Sequence, residues 1–296
     1  MNKKKNIEIK KTFDLAVQNH QKNNFKSAES LYNKVLKIIP NHFETNFLLG
    51  SLLLRNKNFN KAIKSLNKAI LINPNHVGTY NNLGGALKGI GEIEKAIVFF
   101  QKAIEINPNY LQAHNNLGAT LHELGKTQKA INYFQKAIKI NPNHVEAYNN
   151  LGTAFYDLSE CKKALKYYKK AIKINPNYAA AHWNLHSFST GIDEALKILK
   201  KLYRIDNNYI KAKFIISALE GFKGNLKNFN SLINSSYMND PYMRSIKWVF
   251  SLPKLPKIFF NRWSFFDSIV SLTDKSRPFY EFGVWNGVSF KYLINT

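Results

Sequence analysis

The sequence holds a single cysteine, Cys161, in 296 residues. No disulfide can form within one chain, and no thiolate cluster can hold a metal. Arginine is almost as scarce: of 43 basic residues only Arg55, Arg204, Arg244, Arg262 and Arg277 are arginine, against 19 acids, for a formal net charge of +24. That charge raises the question of a nucleic-acid or anionic-membrane partner, but bidentate contacts to phosphates and bases favour arginine over lysine. No stretch reaches the roughly 18 unbroken apolar residues of a membrane span. The basic start, Met1 to Lys11, has no apolar run behind it to form a signal peptide. These absences lead us to expect a cytoplasmic protein without a membrane partner. The eight histidines show no metal spacing, and no Ser/His/Asp or paired-carboxylate site can be assembled, so no catalytic and no metal residue is assigned.

What the chain does have is repetition. A helix-ending phrase recurs at intervals of 34 residues: Ile72-Asn73-Pro74-Asn75, Ile106-Asn107-Pro108-Asn109, Ile140-Asn141-Pro142-Asn143 and Ile174-Asn175-Pro176-Asn177, with Pro40 one period earlier. Within each period the large and small residues keep fixed places. The third repeat has Tyr80, Leu83, Gly84, Leu87, Ala96, Phe100 and Pro108; the fourth His114, Leu117, Gly118, Leu121, Ala130, Phe134 and Pro142; the fifth Tyr148, Leu151, Gly152, Phe155, Ala164, Tyr168 and Pro176. Small residues let two helices approach, large ones fill the space between them, and proline stops the second helix.

This spacing resembles the tetratricopeptide repeat. The resemblance implies an all-α, right-handed superhelical solenoid whose curved groove binds a protein or peptide. One helix pair cannot bury its apolar stripe alone, so the core forms only by stacking neighbours.

In chain order, residues 1–8 read as a basic tail, residues 9–178 as five repeats with the first degenerate, and residues 179–237 as weaker helix pairs. The sixth unit, from Ala179, has a helix-to-helix turn about three residues short, so Ala195 arrives early. A seventh pair fits Ile210 to Leu219 and Leu226 to Ile233, around a turn with Gly221 and Gly224. Residues 238–261 read as a linker, with Pro253 and Pro256 preventing a continuous helix, and residues 262–296 as a segment of different composition.

Two sets of residues are candidates for function. Much of the basic charge is periodic, as in Lys34, Lys68, Lys102, Lys136 and Lys170, opposite the buried face of the second helix. It therefore reads as a solvated face rather than a nucleic-acid site. The first helices carry Asn82, Asn116, Asn150 and Asn184, nearly opposite their core positions. Stacking would make them a ladder of amides able to bind the backbone of an extended peptide whatever its side chains. It resembles the asparagine ladder in the repeat region of O-GlcNAc transferases. As exposed residues, Asn116 and Asn150 are expected to tolerate alanine within about 0.5 kcal/mol. The lysines and arginine of a chaperone-type carboxylate clamp are not found on the groove helices.

The second set is Glu281-Phe282-Gly283-Val284-Trp285-Asn286-Gly287, placed after an apolar strand-like run and before a helix start. Glycines at such a turn let backbone approach a cofactor closely. The phrase resembles the first motif of class I S-adenosylmethionine-dependent methyltransferases of the macrocin O-methyltransferase-like group. The resemblance implies an α/β, Rossmann-like start in which Glu281, Gly283 and Gly287 line the methionine end of S-adenosylmethionine. The acidic residue that holds the ribose normally lies about 20 residues further on. Thr296 comes before it, so the chain is expected to be a binding scaffold rather than a complete enzyme. S-adenosylmethionine would bind only if that domain were completed. The alternative is the N-terminal part of a methyltransferase whose repeats recruit substrate or partner; a basic nucleic-acid-binding scaffold is the third reading.

Overall fold

The computed structural model describes residues 3–240 together with Met243, Arg244, Ile246 and Lys247. The linker beyond these and the methyltransferase-like segment, with Glu281, Gly283 and Gly287, lie outside the described residues. Every regular element described is helical. The chain divides into two units, Met1–Glu160 and Cys161–Thr296.

The first unit holds α1 (Lys3–Gln21), α2 (Phe25–Ile38), α3 (Phe43–Arg55), α4 (Phe59–Ile72), α5 (Val77–Gly89), α6 (Ile93–Ile106), α7 (Leu111–Glu123), α8 (Thr127–Ile140) and α9 (Val145–Asp157). Helix α1 begins inside the stretch expected as a basic tail, which contains no proline or glycine to stop it. Each helix packs on the next. In addition α3 touches α5, α5 touches α7 and α7 touches α9, so the first helices form a continuous inner row. No comparable pairing runs between successive second helices among the described residues.

The repeat residues account for this stacking. Ala96, Phe100, Ala130 and Phe134 are almost wholly buried, as are Leu83, Leu117 and Leu151. Gly84 and Gly118 lie flat against the rings of Phe100 and Phe134, where a Cβ would come within 2.7 Å of ring carbon in both cases.

The turn inside each pair is also a repeating device. Asn23, Lys57, Gly91, Gly125 and Ser159, one per period, all adopt positive φ, from 58° to 84°. The next residue then bonds back across the helix end, as Asn58 N–H to Leu53 carbonyl, Glu92 to Leu87, Lys126 to Leu121 and Glu160 to Phe155. This is a Schellman cap, which satisfies carbonyls the helix leaves open. The Asn-Pro-Asn phrase closes the second helix differently. The side-chain oxygens of Asn73, Asn107 and Asn141 accept from the N–H of Asn75, Asn109 and Asn143, turning the chain over the proline. His42 and His144 cap α3 and α9 by accepting from the N–H of Thr45 and Ala147 through Nδ1.

The second unit holds α10 (Cys161–Ile174), α11 (Ala179–His186), α12 (Ile192–Ile205), α13 (Ile210–Phe222) and α14 (Lys227–Ile233), then a 3-10 turn, Ser236–Asn239. Cys161 is the free, half-buried first residue of α10. The irregularity of the sixth unit lies in its first helix: α11 has 8 residues where α5, α7 and α9 have 13, and its turn is longer rather than shorter. Glu194 fixes the start of α12 by accepting from both the backbone N–H and the hydroxyl of Thr190. Asp206 accepts from Asn208 N–H, so it replaces the repeat asparagine as the turn acceptor even though the proline is gone. Leu196, Leu199, Leu202 and Leu219 make the core between α12 and α13, with Phe214, Phe229, Leu232 and Met243 forming a second cluster.

Candidate functional site

Helical periodicity places the Asn-Asn doublets of α5, α7 and α9 on the inner row. The first member of each doublet, Asn81, Asn115 and Asn149, is buried, while the second, Asn82, Asn116 and Asn150, is half-exposed. The pairs join across repeats. Asn116 Nδ2 donates to Asn81 Oδ1 at 2.9 Å, and Asn150 Nδ2 to Asn115 Oδ1 at 3.1 Å. Both bonds span 35 residues and run from the later repeat to the earlier. At the head of the row, where the preceding repeat has no asparagine doublet, Asn82 Nδ2 donates instead to Ser51 Oγ, and its own carbonyl accepts from Asn81 Nδ2.

This arrangement corrects the expectation that alanine is free at Asn116 and Asn150. Each side chain satisfies a buried oxygen of its neighbour, and removing the donor strands that oxygen at a cost of about 1–3 kcal/mol. The other half of each amide remains open. The carbonyl oxygens of Asn116 and Asn150 accept no bond among the described residues, and neither is an enclosed atom. Asn184 lies on α11 of the second unit, where Trp183 takes the place of the buried asparagine and packs 5.1 Å from Tyr209 and 4.6 Å from His186, ring centre to ring centre.

A second series of cross-repeat bonds follows the C-terminal ends of the same helices. Lys88 Nζ lies 2.7 Å from Glu123 Oε1, and His122 Nε2 3.0 Å from Asp157 Oδ2. These pairs, missed from sequence, again link residue n to residue n+35, a spacing visible once the period is known. They leave Lys88 and His122 matched with acids of the next repeat, and the small residues Gly85, Ala119 and Thr153 lie between the two series along the helices. The surface can offer amide hydrogen bonds beside a strip in which Lys88 is paired with Glu123 and His122 with Asp157.

The histidines serve the fold. His114 fills the place of Tyr80 in the preceding repeat, and its Nε2 lies 2.8 Å from the Pro108 carbonyl. His182 repeats the contact with Pro176, and burial lowers its pKa below the ordinary value. Burial also lowers the pKa of His76, which joins Phe43 and Phe47 in a ring cluster with centroids 5.0 and 4.5 Å away.

Antiparallel helix pairs stacked with glycine and alanine at their crossings define the class of helical-repeat scaffolds. Three family models match: one described as tetratricopeptide repeat over residues 109–177, one as TPR repeat over 86–125, and one as anaphase-promoting complex, cyclosome, subunit 3 over 21–103. Among solved structures, the chain is 33% identical to the MamA protein over 58% of its own length and 93% of that chain, with a TM-score of 0.50. It is also similar to PilF of Pseudomonas aeruginosa, at 19% identity over 75% of this chain and 99% of that one, with a TM-score of 0.59. A thermophilic TPR protein of Thermus thermophilus matches at 21% identity over 66% and 98%, TM-score 0.50. At those two identities the likeness is one of fold. No curated protein matches the chain. The chain belongs to the tetratricopeptide-repeat family, and it is a repeat scaffold.

Proposed function

We propose that the inner row of first helices binds an extended segment of a partner polypeptide, chiefly through its backbone. The observation that carries this reading is the half-spent state of Asn116 and Asn150: each amide has one N–H committed within the protein and an open carbonyl beside it. An amide row of this kind matches the alternating donors and acceptors of a peptide backbone and makes no demand on side-chain identity. Asn82 stands at the head of the proposed row, with its carbonyl already accepting from Asn81; Asn184, the fourth asparagine of the series, lies on α11 of the second unit. Lys88 is already paired with Glu123 and His122 already bonds Asp157, which supports a segment of low charge rather than an acidic terminus. The segment Glu281 to Gly287 lies outside the described residues and takes no part in this reading.

The test uses an array of random-sequence 12-residue peptides and a matched array with N-methylated backbones. Wild-type protein should bind members of the first and lose them on methylation, which removes the backbone donors. The variant Asn116→Ala/Asn150→Ala should bind about thirtyfold more weakly, for two lost bonds of about 1 kcal/mol each, at a temperature where circular dichroism shows it folded. Equal binding by variant and wild type, or indifference to methylation, would remove the reading.

A further inference from the structure

We infer that the buried asparagines Asn81 and Asn115 are positioning residues for the groove, and that they set the amides of Asn116 and Asn150 in one common sense. This rests on the backbone-binding reading above and names the residues through which it works.

An asparagine amide can turn over, exchanging its oxygen and nitrogen at little cost when it faces water. A ladder of freely turning amides would present mixed donors and acceptors, and each would have to be ordered when a ligand binds, at a cost in affinity. Here the choice is made beforehand. Asn81 and Asn115 are 7% and 3% exposed, and each directs its oxygen at the nitrogen of the amide one repeat later. An oxygen cannot bond that acceptor, so the nitrogen of Asn116 or Asn150 must point to the earlier repeat. The carbonyl must then lie on the other side of the side chain, uncommitted, in both repeats alike. Asn81 is itself held, because its nitrogen donates to Asn82 Oδ1. The series therefore runs Ser51, Asn82, Asn81, Asn116 in one connected chain of bonds, and Asn115 to Asn150 repeats its last step. Asn81 and Asn115 act on a ligand only through their neighbours, because they are buried beneath them.

Two substitutions at Asn115 separate positioning from packing. Asn115→Leu keeps the volume and removes the acceptor; Asn115→Asp keeps an acceptor oxygen in the same place. The first readout needs no ligand: the side-chain NH2 of Asn150 in nitrogen-resolved NMR spectra of the full chain, where one of the two protons should exchange slowly. The second is affinity for peptides taken from the random 12-residue array. We expect the slow proton to disappear in Asn115→Leu and persist in Asn115→Asp. Peptide affinity should fall about three- to tenfold in the first and stay within about twofold of wild type in the second. If Asn115→Leu does not fold, Asn81→Leu and Asn81→Asp, read at Asn116, take its place.

A slow Asn150 proton that survives Asn115→Leu would overturn the inference whatever the peptides do. A lost proton with unchanged affinity would overturn it while leaving the groove reading intact. If wild-type protein binds no peptide on the array, the groove reading fails and the positioning role falls with it; the amide spectrum would then report only a structural bond.

Discussion

Gly84 and Gly85 are adjacent on α5 and should respond to alanine differently. At Gly84 the new Cβ would lie 2.7 and 2.8 Å from two carbons of the Phe100 ring, where ordinary carbon contacts are about 3.5–4.0 Å. Phe100 is 1% exposed and cannot swing aside, so the substitution overpacks the crossing of α5 and α6 at a cost of about 1–3 kcal/mol. At Gly85 the nearest atom would be Leu54 Cδ2 at 3.5 Å, an ordinary contact. Both sites are helix interior, where alanine is favoured over glycine by about 1 kcal/mol. That gain is common to the two variants, so their difference isolates the overlap. Gly85→Ala should stabilise by about 1 kcal/mol, and Gly84→Ala should lie about 1–3 kcal/mol below it. Urea unfolding followed by far-ultraviolet circular dichroism, which reports the helices directly, reads both. Equal midpoints for the two variants would refute the claim that close approach, rather than helix propensity, explains the repeat glycine.

Two further tests follow from the turns and from the buried histidine. Lys57 holds φ at 58° in a place that Gly91 and Gly125 fill without strain, so Lys57→Gly should stabilise by about 1 kcal/mol, read as a higher urea midpoint. Burial pushes the His186 imidazole down to about 4, against the ordinary 6.5. The unfolded chain then binds the extra proton first as pH falls. Stability from this group is therefore complete above 6.5 and is lost progressively down to 4, by up to about 3 kcal/mol. His20, His76, His144 and His182 are shifted the same way, so the measurement is the difference between wild type and His186→Leu. That difference should change with pH across this window and be flat above it; a flat difference throughout would show that His186 is not held neutral by the fold.

The period, the small residues at the crossings and the proline stops made the helix pairs legible, because each residue acts locally or at a fixed repeat distance. The proposed groove asparagines were legible for the same reason: position on a helix turning about 100 degrees per residue separates Asn116 from Leu117 and Gly118. Asn81 and Asn115 were not, because a buried polar residue betrays itself only through its partner, and that partner lies one repeat plus one residue away. The same offset hid Lys88 with Glu123. In the sixth unit the early arrival of Ala195 showed that residues were missing, but not from where. Composition does not distinguish a short turn from a short helix, and the answer depended on Thr190 and Glu194 closing the start of α12.

The central claim is that a polypeptide lies along the first helices. Its most direct test is hydrogen exchange of the full chain, measured by mass spectrometry with and without the tightest-binding array peptide. Protection on binding should concentrate in α5, α7 and α9, with α4, α6 and α8 unchanged. Protection confined to those second helices would place the partner on the lysine-rich face and contradict the account.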